Sequence, residues 1–354
     1  MMGQDVEELP SPTEAKNTGH RFPLLGVVMP CRNEQDMIRQ SIGSVLAFDY
    51  PADQMTLTVV DGMSTDATPD VLEELAAGDA RIRLLQNPER LPAPAMNRAL
   101  DSLDCEIVLR VDAHTVYPKD YATRCVAALL ETGAQNVGGV IRTVPGAKTP
   151  EAEAIAFALS HPFGVGNSSF RTGSKDRKWT DTVPFGCWRL ETLRALGGFA
   201  TDIPYGEDDE LNGRLTASGG RILLDPSIMS SYVARPKLSA FALMLYRYGR
   251  SKPATTARIG RPTSLRQLVP PAFVLVLIGA LMLTPVWHGA ALVGLAAFGA
   301  HLLVGSLVAI NAFRKGKLRL RSSLWLPPSL LAGHVAYGVG YLRGFLAVQV
   351  SKRF

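Results

Sequence analysis

No aspartate or glutamate follows Asp225 in this chain of 354 residues. Residues 226–354 hold 16 of the 37 lysines and arginines and none of the 32 acids, a formal charge of +16. Residues 1–225 hold the other 21 bases and all 32 acids, so 21 − 32 = −11, and the net +5 describes neither part. One soluble domain rarely separates charge this way, and the second part suits an anionic surface, either a membrane leaflet or a nucleic acid. Cysteine is scarce as well. Cys31, Cys105, Cys125 and Cys187 lie far apart with no C-x-x-C pair, which argues against a disulfide framework or a zinc ribbon and fits a reducing compartment. Two phosphate-binding signatures are missing: no G-x-G-x-x-G follows the first predicted strand, and G-x-x-x-x-G-K-[ST] occurs nowhere. Their absence weighs against dinucleotide oxidoreductases and P-loop enzymes. Residues 1–22 lack the apolar core of a signal peptide and read as a flexible tail.

What the basic part does contain is a long run without charge. Between Arg266 and Arg314 lie 47 residues with no charged side chain. As helix that is roughly 70 Å, enough to cross a ~30 Å hydrocarbon layer twice. Pro285, Trp287, His288 and Gly289 interrupt the run near its middle, where a hairpin would turn, so the predicted spans are 268–286 and 290–311. Arg258, Arg261 and Arg266 precede the hairpin; Arg314, Lys315, Lys317, Arg319 and Arg321 follow it. Both flanks are therefore expected on the cytoplasmic side of an inner membrane, against anionic lipid headgroups. The membrane thus replaces nucleic acid as the expected partner. A third hydrophobic segment, 322–346, contains Pro327 and Pro328 and reads as a spanning or, slightly preferred, a re-entrant helix. Residues 236–267 form a basic juxtamembrane segment between this region and the acidic part.

The acidic part alternates strands and helices. Apolar runs at Leu24–Met29, Leu57–Val60, Arg81–Leu85 and Glu106–Val111 predict strands, and the stretches between them carry helical spacings, with Thr68 as a candidate N-cap. This pattern predicts an α/β fold with a mostly parallel sheet, whose ligands bind beyond the carboxyl ends of the strands. Four clusters fall near such positions. Asp61 opens DGMSTDAT directly after a strand, either as a plain turn or as an acceptor for ribose or base N–H groups. Asp112-Ala113-His114 follows EIVLRV; in an extended tripeptide the outer two residues face one way, toward a divalent cation, or with Asp112 on the cation and His114 on a phosphate. An imidazole ligand tilts such a site from Mg²⁺ toward Mn²⁺. Glu207, Asp208, Asp209 and Glu210 follow Gly206, as a solvated helix start or as the source of a general base. Arg247 and Arg250 share a helix face, as a membrane-surface patch, a grip for a diphosphate, or both.

Taken together, VVMPCRNE, VVDGMSTDAT, RVDAH, FGCWRLETLRALGGF and GEDDELNGRL resemble the family 2 glycosyltransferases of GT-A fold over residues 24–252. RVDAHTVYP, FGVGNSSFR and HVAYGVGYLRG are similar to the ExoA-like branch, which includes a succinoglycan-type β-1,3-glucosyltransferase. The resemblance implies a GT-A catalytic domain over 23–235, followed by membrane helices. It implies inverting transfer of one sugar, glucose by preference, from a UDP-sugar donor to a polyprenyl-diphosphate-linked saccharide acceptor in exopolysaccharide or cell-surface glycan synthesis. A polyprenyl-monophosphate glycosyltransferase and an inactive nucleotide-sugar-binding membrane regulator are the alternatives. Under it, Pro30, Arg32, Asn33, Glu34, Asp61, Ser64, Asn97 and Arg110 border the donor. Asp112 takes the place of the metal-binding aspartate of D-x-D, with His114 where the family has a second aspartate. Asp208 is the base, beside Glu207, with Asp209 as the competitor. Arg247 and Arg250 match a diphosphate-binding Q-x-x-R-W motif that here lacks its tryptophan. The implied cofactor is a divalent cation, Mn²⁺ or Mg²⁺. His161, within SHPFGVGNSSFR, fits either an acceptor-side or a structural role.

Overall fold

A computed structural model describes residues 22–166 and 168–351. The tail expected over 1–22 lies outside the described residues apart from Phe22, as do Asn167, Lys352 and Arg353. The chain divides into two compact units. The first is Met1–Val140, Ser174–Ala200 and Arg214–Ser230; the second is Ile141–Gly173, Thr201–Gly213 and Ser231–Phe354.

The first unit is built on a nine-stranded sheet. Its strands are β1 (Leu25–Cys31), β2 (Met55–Asp61), β3 (Ile82–Gln86), β4 (Ile107–Arg110), β5 (Thr115–Val116), β6 (Asn136–Val144), β7 (Lys178–Thr180), β8 (Cys187–Arg189) and β9 (Ile222–Val233). The order is β3-β2-β1-β4-β8-β6-β9-β5, with β7 on β9. β1, β2, β3 and β4 run parallel, while β8 is antiparallel to β4 and β6. Parallel strands covered by helices on both faces read as continuous apolar runs. β1 does so, with Leu25, Val27, Val28 and Met29 buried, whereas edge strand β3 leaves Arg83, Leu84 and Gln86 exposed. The predicted strands fall within a residue or two of those observed. The stretch after β3 forms helix Pro92–Ser102, whose proline at the first turn fits because its fixed φ and missing N–H suit that position.

Two local expectations change. Thr68 is the first residue of the Thr68–Gly78 helix, not its cap. The Asp66 carboxylate accepts from the Thr68 N–H at 3.0 Å, leaving the Thr68 hydroxyl to accept from Glu34 N–H at 2.8 Å. Asp112-Ala113-His114 is a turn, not an extended tripeptide, so alternation does not orient its side chains. The buried Ser41 hydroxyl donates to the Ala113 carbonyl at 2.6 Å and holds the turn closed.

The second unit is helical. Its Pro150–Ala158 helix is capped by the Thr149 hydroxyl, which accepts from Ala152 N–H at 3.2 Å, with Glu151 and Glu153 in the first turn. Helix Leu238–Ile259 carries Arg247 and Arg250 and lies against helix Leu320–Ser351. Small residues let these backbones meet. A Cβ added at Gly249 would sit 2.1 Å from the Tyr337 carbonyl oxygen, and one at Gly340 or Gly344 equally close to those of Tyr246 and Arg250. Ala154 and Ala158 join Ala309, Ala312, Leu318, Leu326 and Leu330 in one buried cluster.

The charge-free run folds as helices Val269–Leu283 and Gly289–Arg314, with the break where Pro285–His288 predicted it. Among the described residues, Leu265–Leu283 and Gly289–Arg314 are the two helices long and apolar enough to cross a membrane. The third hydrophobic run forms one continuous helix, Leu320–Ser351, with Pro327 and Pro328 inside it.

Candidate active site

Each unit carries part of the predicted set. In the first, the parallel register sets Cys31 beside Asp61, so Arg32-Asn33-Glu34 leave the sheet next to Gly62–Asp66. The two loops are tied by side chains bonding to backbone. Asn33 adopts a left-handed backbone (φ 56°), a conformation asparagine tolerates better than most residues. Its N–H donates to Ser64 Oγ at 2.9 Å, and its Oδ1 accepts from Thr65 N–H at 2.8 Å. Asp61 accepts from the Ser64 N–H at 3.0 Å and from the Ser64 hydroxyl at 2.5 Å. An ionised carboxylate accepts about four hydrogen bonds, so Ser64 orients Asp61 without exhausting it. Arg32 is exposed, and Pro30 pairs with Val60 inside the sheet.

The third strand end joins this group through Glu34. His114 Nδ1 lies 3.1 Å from Glu34 Oε1. In the tautomer that donates Nδ1–H to Glu34, His114 Nε2 carries the lone pair a metal or phosphate hydroxyl requires; a carboxylate behind a histidine is the usual support for a metal ligand. Asp112 is half-buried. Its Oδ1 lies 3.5 Å from Nη2 of the buried Arg110, and its N–H donates to Tyr117 OH at 2.7 Å. Burial, then the Asp112 charge, pushes the Tyr117 phenol well above its ordinary range, so it stays neutral and can accept that bond.

Among the described residues no group of three or more His, Cys, Asp or Glu side chains is arranged to hold a metal ion. The donor chemistry at Asp112 and His114, one carboxylate and one imidazole, fits a cation whose remaining ligands are diphosphate oxygens and water. It does not fit a cation caged by protein alone.

Asn97 is not among the strand-end residues. Its Nδ2 donates to the Phe199 carbonyl and its Oδ1 accepts from the Phe199 N–H, both at 2.8 Å. This residue, read from resemblance as a donor neighbour, fastens the turn at Gly197–Phe199, whose two glycines have positive φ.

The second unit holds the acidic run. Helix Glu207–Ala217 starts at the first acid, so Leu211 and Leu215 fall one turn apart and both are buried. Glu207 and Glu210 are buried; Asp208 and Asp209 are half-exposed. The acids differ in their partners. Asp209 Oδ2 lies 2.5 Å from Lys252 Nζ and accepts from the Thr263 hydroxyl at 3.0 Å. Glu210 lies 3.7 Å from Arg258, which also pairs with Asp202. These cations offset the repulsion that makes four adjacent acids costly. Arg247 and Arg250 are exposed, and the Arg247 guanidinium lies 5.4 Å from the ring centre of Tyr205, two residues before Glu207. His161 caps the short helix Pro162–Val165, its Nδ1 accepting from the Phe163 N–H at 3.2 Å, which is the structural role. Sequence reading missed the Glu34–His114 and Asp209–Lys252 pairs: ion pairs across a fold leave no local signature.

Comparison with known proteins agrees with this arrangement. The family model described as "Glycosyl transferase family 2" matches residues 26–194. The succinoglycan biosynthesis protein ExoA of Rhizobium meliloti is 33% identical over 270 residues, 76% of this chain and 81% of that protein. A Methanococcus voltae enzyme is 25% identical over 64% of this chain and 72% of its own length. It is named dolichyl N-acetyl-α-D-glucosaminyl phosphate 3-β-D-2,3-diacetamido-2,3-dideoxy-β-D-glucuronosyltransferase. Among solved structures, the mannosyltransferase PcManGT of Pyrobaculum calidifontis, in complex with GDP-Man and Mn²⁺, superposes with TM-score 0.56. That pair shares 23% identity, covering 89% of this chain and 87% of that one, a likeness of fold. With the strand-end carboxylates, the GT-A sheet and a relative this similar over three quarters of its length, the chain belongs to glycosyltransferase family 2.

Proposed function

We propose that this glycosyltransferase moves one hexose, glucose by preference, from a UDP-sugar to a polyprenyl-diphosphate-linked saccharide, with inversion, at the cytoplasmic face of the inner membrane. The catalytic domain is 23–235, the basic juxtamembrane segment 236–267 and the membrane region 268–354. The observation that carries the reading is the joining of three strand ends by Asn33–Ser64, Asp61–Ser64 and Glu34–His114. It gathers hydrogen-bond acceptors beside the Asp112–His114 turn in a family 2 chain.

Asp61 and Ser64 would hold the nucleoside, with Pro30, Arg32 and Asn33 along its edge. Asp112 and His114 would hold the cation, which when bound offsets charge on the leaving diphosphate. Arg110, 3.5 Å away, would orient the Asp112 carboxylate. Asp208 takes the proton of the acceptor hydroxyl, its neighbour Glu207 framing the same helix start. The freed oxygen attacks the anomeric carbon on the face opposite the diphosphate; that C–O bond forms as the bond to the diphosphate breaks. Asp209 is the weaker candidate, since its Oδ2 is already engaged by Lys252 Nζ and the Thr263 hydroxyl. Arg247 and Arg250, exposed on helix Leu238–Ile259, would meet the diphosphate through their guanidinium groups.

Membrane attachment is supported by exposure. The apolar windows of Leu265–Leu283 and Gly289–Arg314 are only 22% and 11% buried within the protein. A soluble core helix would be covered; these present leucines and valines outward, which a bilayer satisfies and water does not. Transfer onto a lipid-linked sugar agrees with the name of the Methanococcus voltae relative, and a nucleotide-sugar donor with a divalent cation agrees with the GDP-Man and Mn²⁺ of the solved mannosyltransferase.

The test is a donor screen on purified protein in bilayers containing a polyprenyl-diphosphate-linked saccharide, with Mn²⁺ and Mg²⁺ compared. A single added hexose from one UDP-sugar is the expected product. Long polymer, or donor binding with no transfer to any acceptor, would sink the reading.

A further inference from the structure

Helices Leu238–Ile259 and Leu320–Ser351 run parallel and in contact: Phe241 meets Gly333, Tyr246 meets Gly340 and Arg250 meets Gly344, in the same order along both. The approach is closest at the glycines. A Cβ added at Gly344 would sit 2.1 Å from the Arg250 carbonyl oxygen, and one at Gly340 equally close to that of Tyr246. This register sets Arg343, the residue before Gly344, level with Arg250 on the neighbouring helix. Arg343 Nη1 donates to the Tyr246 hydroxyl at 2.9 Å. Tyr246 and Arg250 are four residues apart and share a helix face, so the Arg343 guanidinium is anchored on the face that carries Arg250.

These two arginines differ from other cations of the same helix. Lys252 faces Asp209, and Arg258 faces Asp202 and Glu210. Arg250 and Arg343 are exposed, and among the described residues neither has a carboxylate partner. Residues 226–354 can offer none, having no acid. Like charges held side by side repel one another, and an anion from outside the chain removes that cost. A guanidinium carries more N–H donors than the one Arg343 spends on Tyr246, so donors remain for the anion.

Position and geometry narrow its chemistry. Arg247, three residues before Arg250, lies 5.4 Å from the ring centre of Tyr205, which precedes Glu207 by two residues. The arginines therefore begin beside the acidic helix start that the proposed reaction uses. A single phosphate fills one guanidinium fork. A diphosphate presents oxygens on two phosphorus centres, which forks from two separate helices can meet together.

We propose that Arg343, anchored by Tyr246, joins Arg250 in binding the diphosphate group of a substrate. The assignment rests on the reading that the reaction uses diphosphate-bearing substrates, and it adds a third arm, from another helix, to the pair Arg247 and Arg250. Two sources carry that group: the nucleotide sugar and the lipid-linked acceptor. Arg343 is a binding residue here and takes no part in proton transfer.

The experiment titrates full-length protein in detergent with UDP in the presence of Mn²⁺ and, separately, with farnesyl diphosphate. Flotation with phosphatidylglycerol vesicles reads bulk headgroup binding. Arg343→Gln should weaken at least one of the two diphosphate probes by about tenfold or more, the scale of a lost hydrogen bond between charged groups. Flotation should stay at the wild-type level. The probe that weakens identifies the source. Arg343→Lys, which keeps the charge and loses the fork, should fall between. Wild-type affinity for both probes in Arg343→Gln overturns the proposal, as does a wild-type protein that binds neither. Lost flotation with both affinities intact assigns Arg343 to bulk lipid and also overturns it. If Arg343→Gln melts at a lower temperature, Arg343→Lys decides alone, and wild-type affinity for both probes in that variant overturns the proposal. If a diphosphate affinity depends on Arg343 but no hexose reaches a polyprenyl-diphosphate-linked saccharide, the binding site stands and the proposed transfer falls.

Discussion

The carboxylates of the first unit and those of the second are held in different ways. Asp61 is gripped by a neighbouring N–H and hydroxyl, and Asp112 sits 3.5 Å from a buried arginine on a turn pinned by Ser41 and Tyr117. Asp209 and Glu210 are instead neutralised by long cationic side chains, Lys252 and Arg258, from helix Leu238–Ile259. Backbone donors at strand ends are rigid and leave acceptor capacity on the carboxylate, which suits binding a ligand in one orientation. Flexible cations offset charge, which suits packing adjacent acids at one helix start. Acids of identical type are thus held by backbone and hydroxyl donors in one unit and by ammonium and guanidinium groups in the other.

The comparison breaks most visibly at the acidic run. Asp208→Asn should fold, bind donor and lose about 10²–10⁴-fold in turnover, the usual contribution of a general base. Asp209→Asn should cost far less. Rates measured side by side decide: equal losses would show that the pairing with Lys252 does not distinguish the two acids. The helical frame that supplies those cations comes next. Gly249→Leu forces side-chain atoms against the Tyr337 carbonyl, and overpacking of this kind costs about 3 kcal/mol. A lowered melting temperature in detergent is the expected result, and an unchanged one would mean the two helices separate at no cost.

On the first unit the effects are smaller. Removing the carboxylate behind His114 with Glu34→Ala should weaken Mn²⁺ binding in the presence of UDP by about tenfold or more, as loss of a supporting hydrogen bond does at other metal ligands. Electron paramagnetic resonance titration of Mn²⁺ reads this directly, and unaltered affinity would reduce Glu34 to a loop fastener. The smallest effect concerns Cys31. Burial, then the charges of Asp61, Glu34 and Asp66, pushes its thiol far above the ordinary range, so it stays protonated at neutral pH. Iodoacetamide on the native protein should leave Cys31 unmodified, as mass spectrometry of the digested product will report. Rapid labelling would mean the strand-end loops open readily and are not the rigid cradle described.

How much of this was legible beforehand depended on whether the signal was local. β1 and β2 announce themselves because strands covered on both faces must be apolar throughout, and the hairpin near Pro285 because a long charge-free run has few other uses. Thr68 was misread because a threonine before a proline looks like a cap when Asp66, two residues away, cannot be known to have taken that bond. Asp112-Ala113-His114 was misread as extended because the Ser41 hydroxyl that helps close the turn lies 72 residues from Ala113 in sequence. Asn97 drew a role from resemblance, and both ends of its amide are taken by Phe199, 102 residues on.

The sequence by itself determined the segregation of charge, the α/β alternation and the position of the apolar helices, since each follows from composition or period along the chain. Only the tertiary structure decided which acid pairs with Lys252 and which carboxylate stands behind His114. Those are outcomes of pairing between distant residues at distances of a few ångströms, where electrostatic and hydrogen-bond energies are set, and no pattern of neighbours along the chain encodes them.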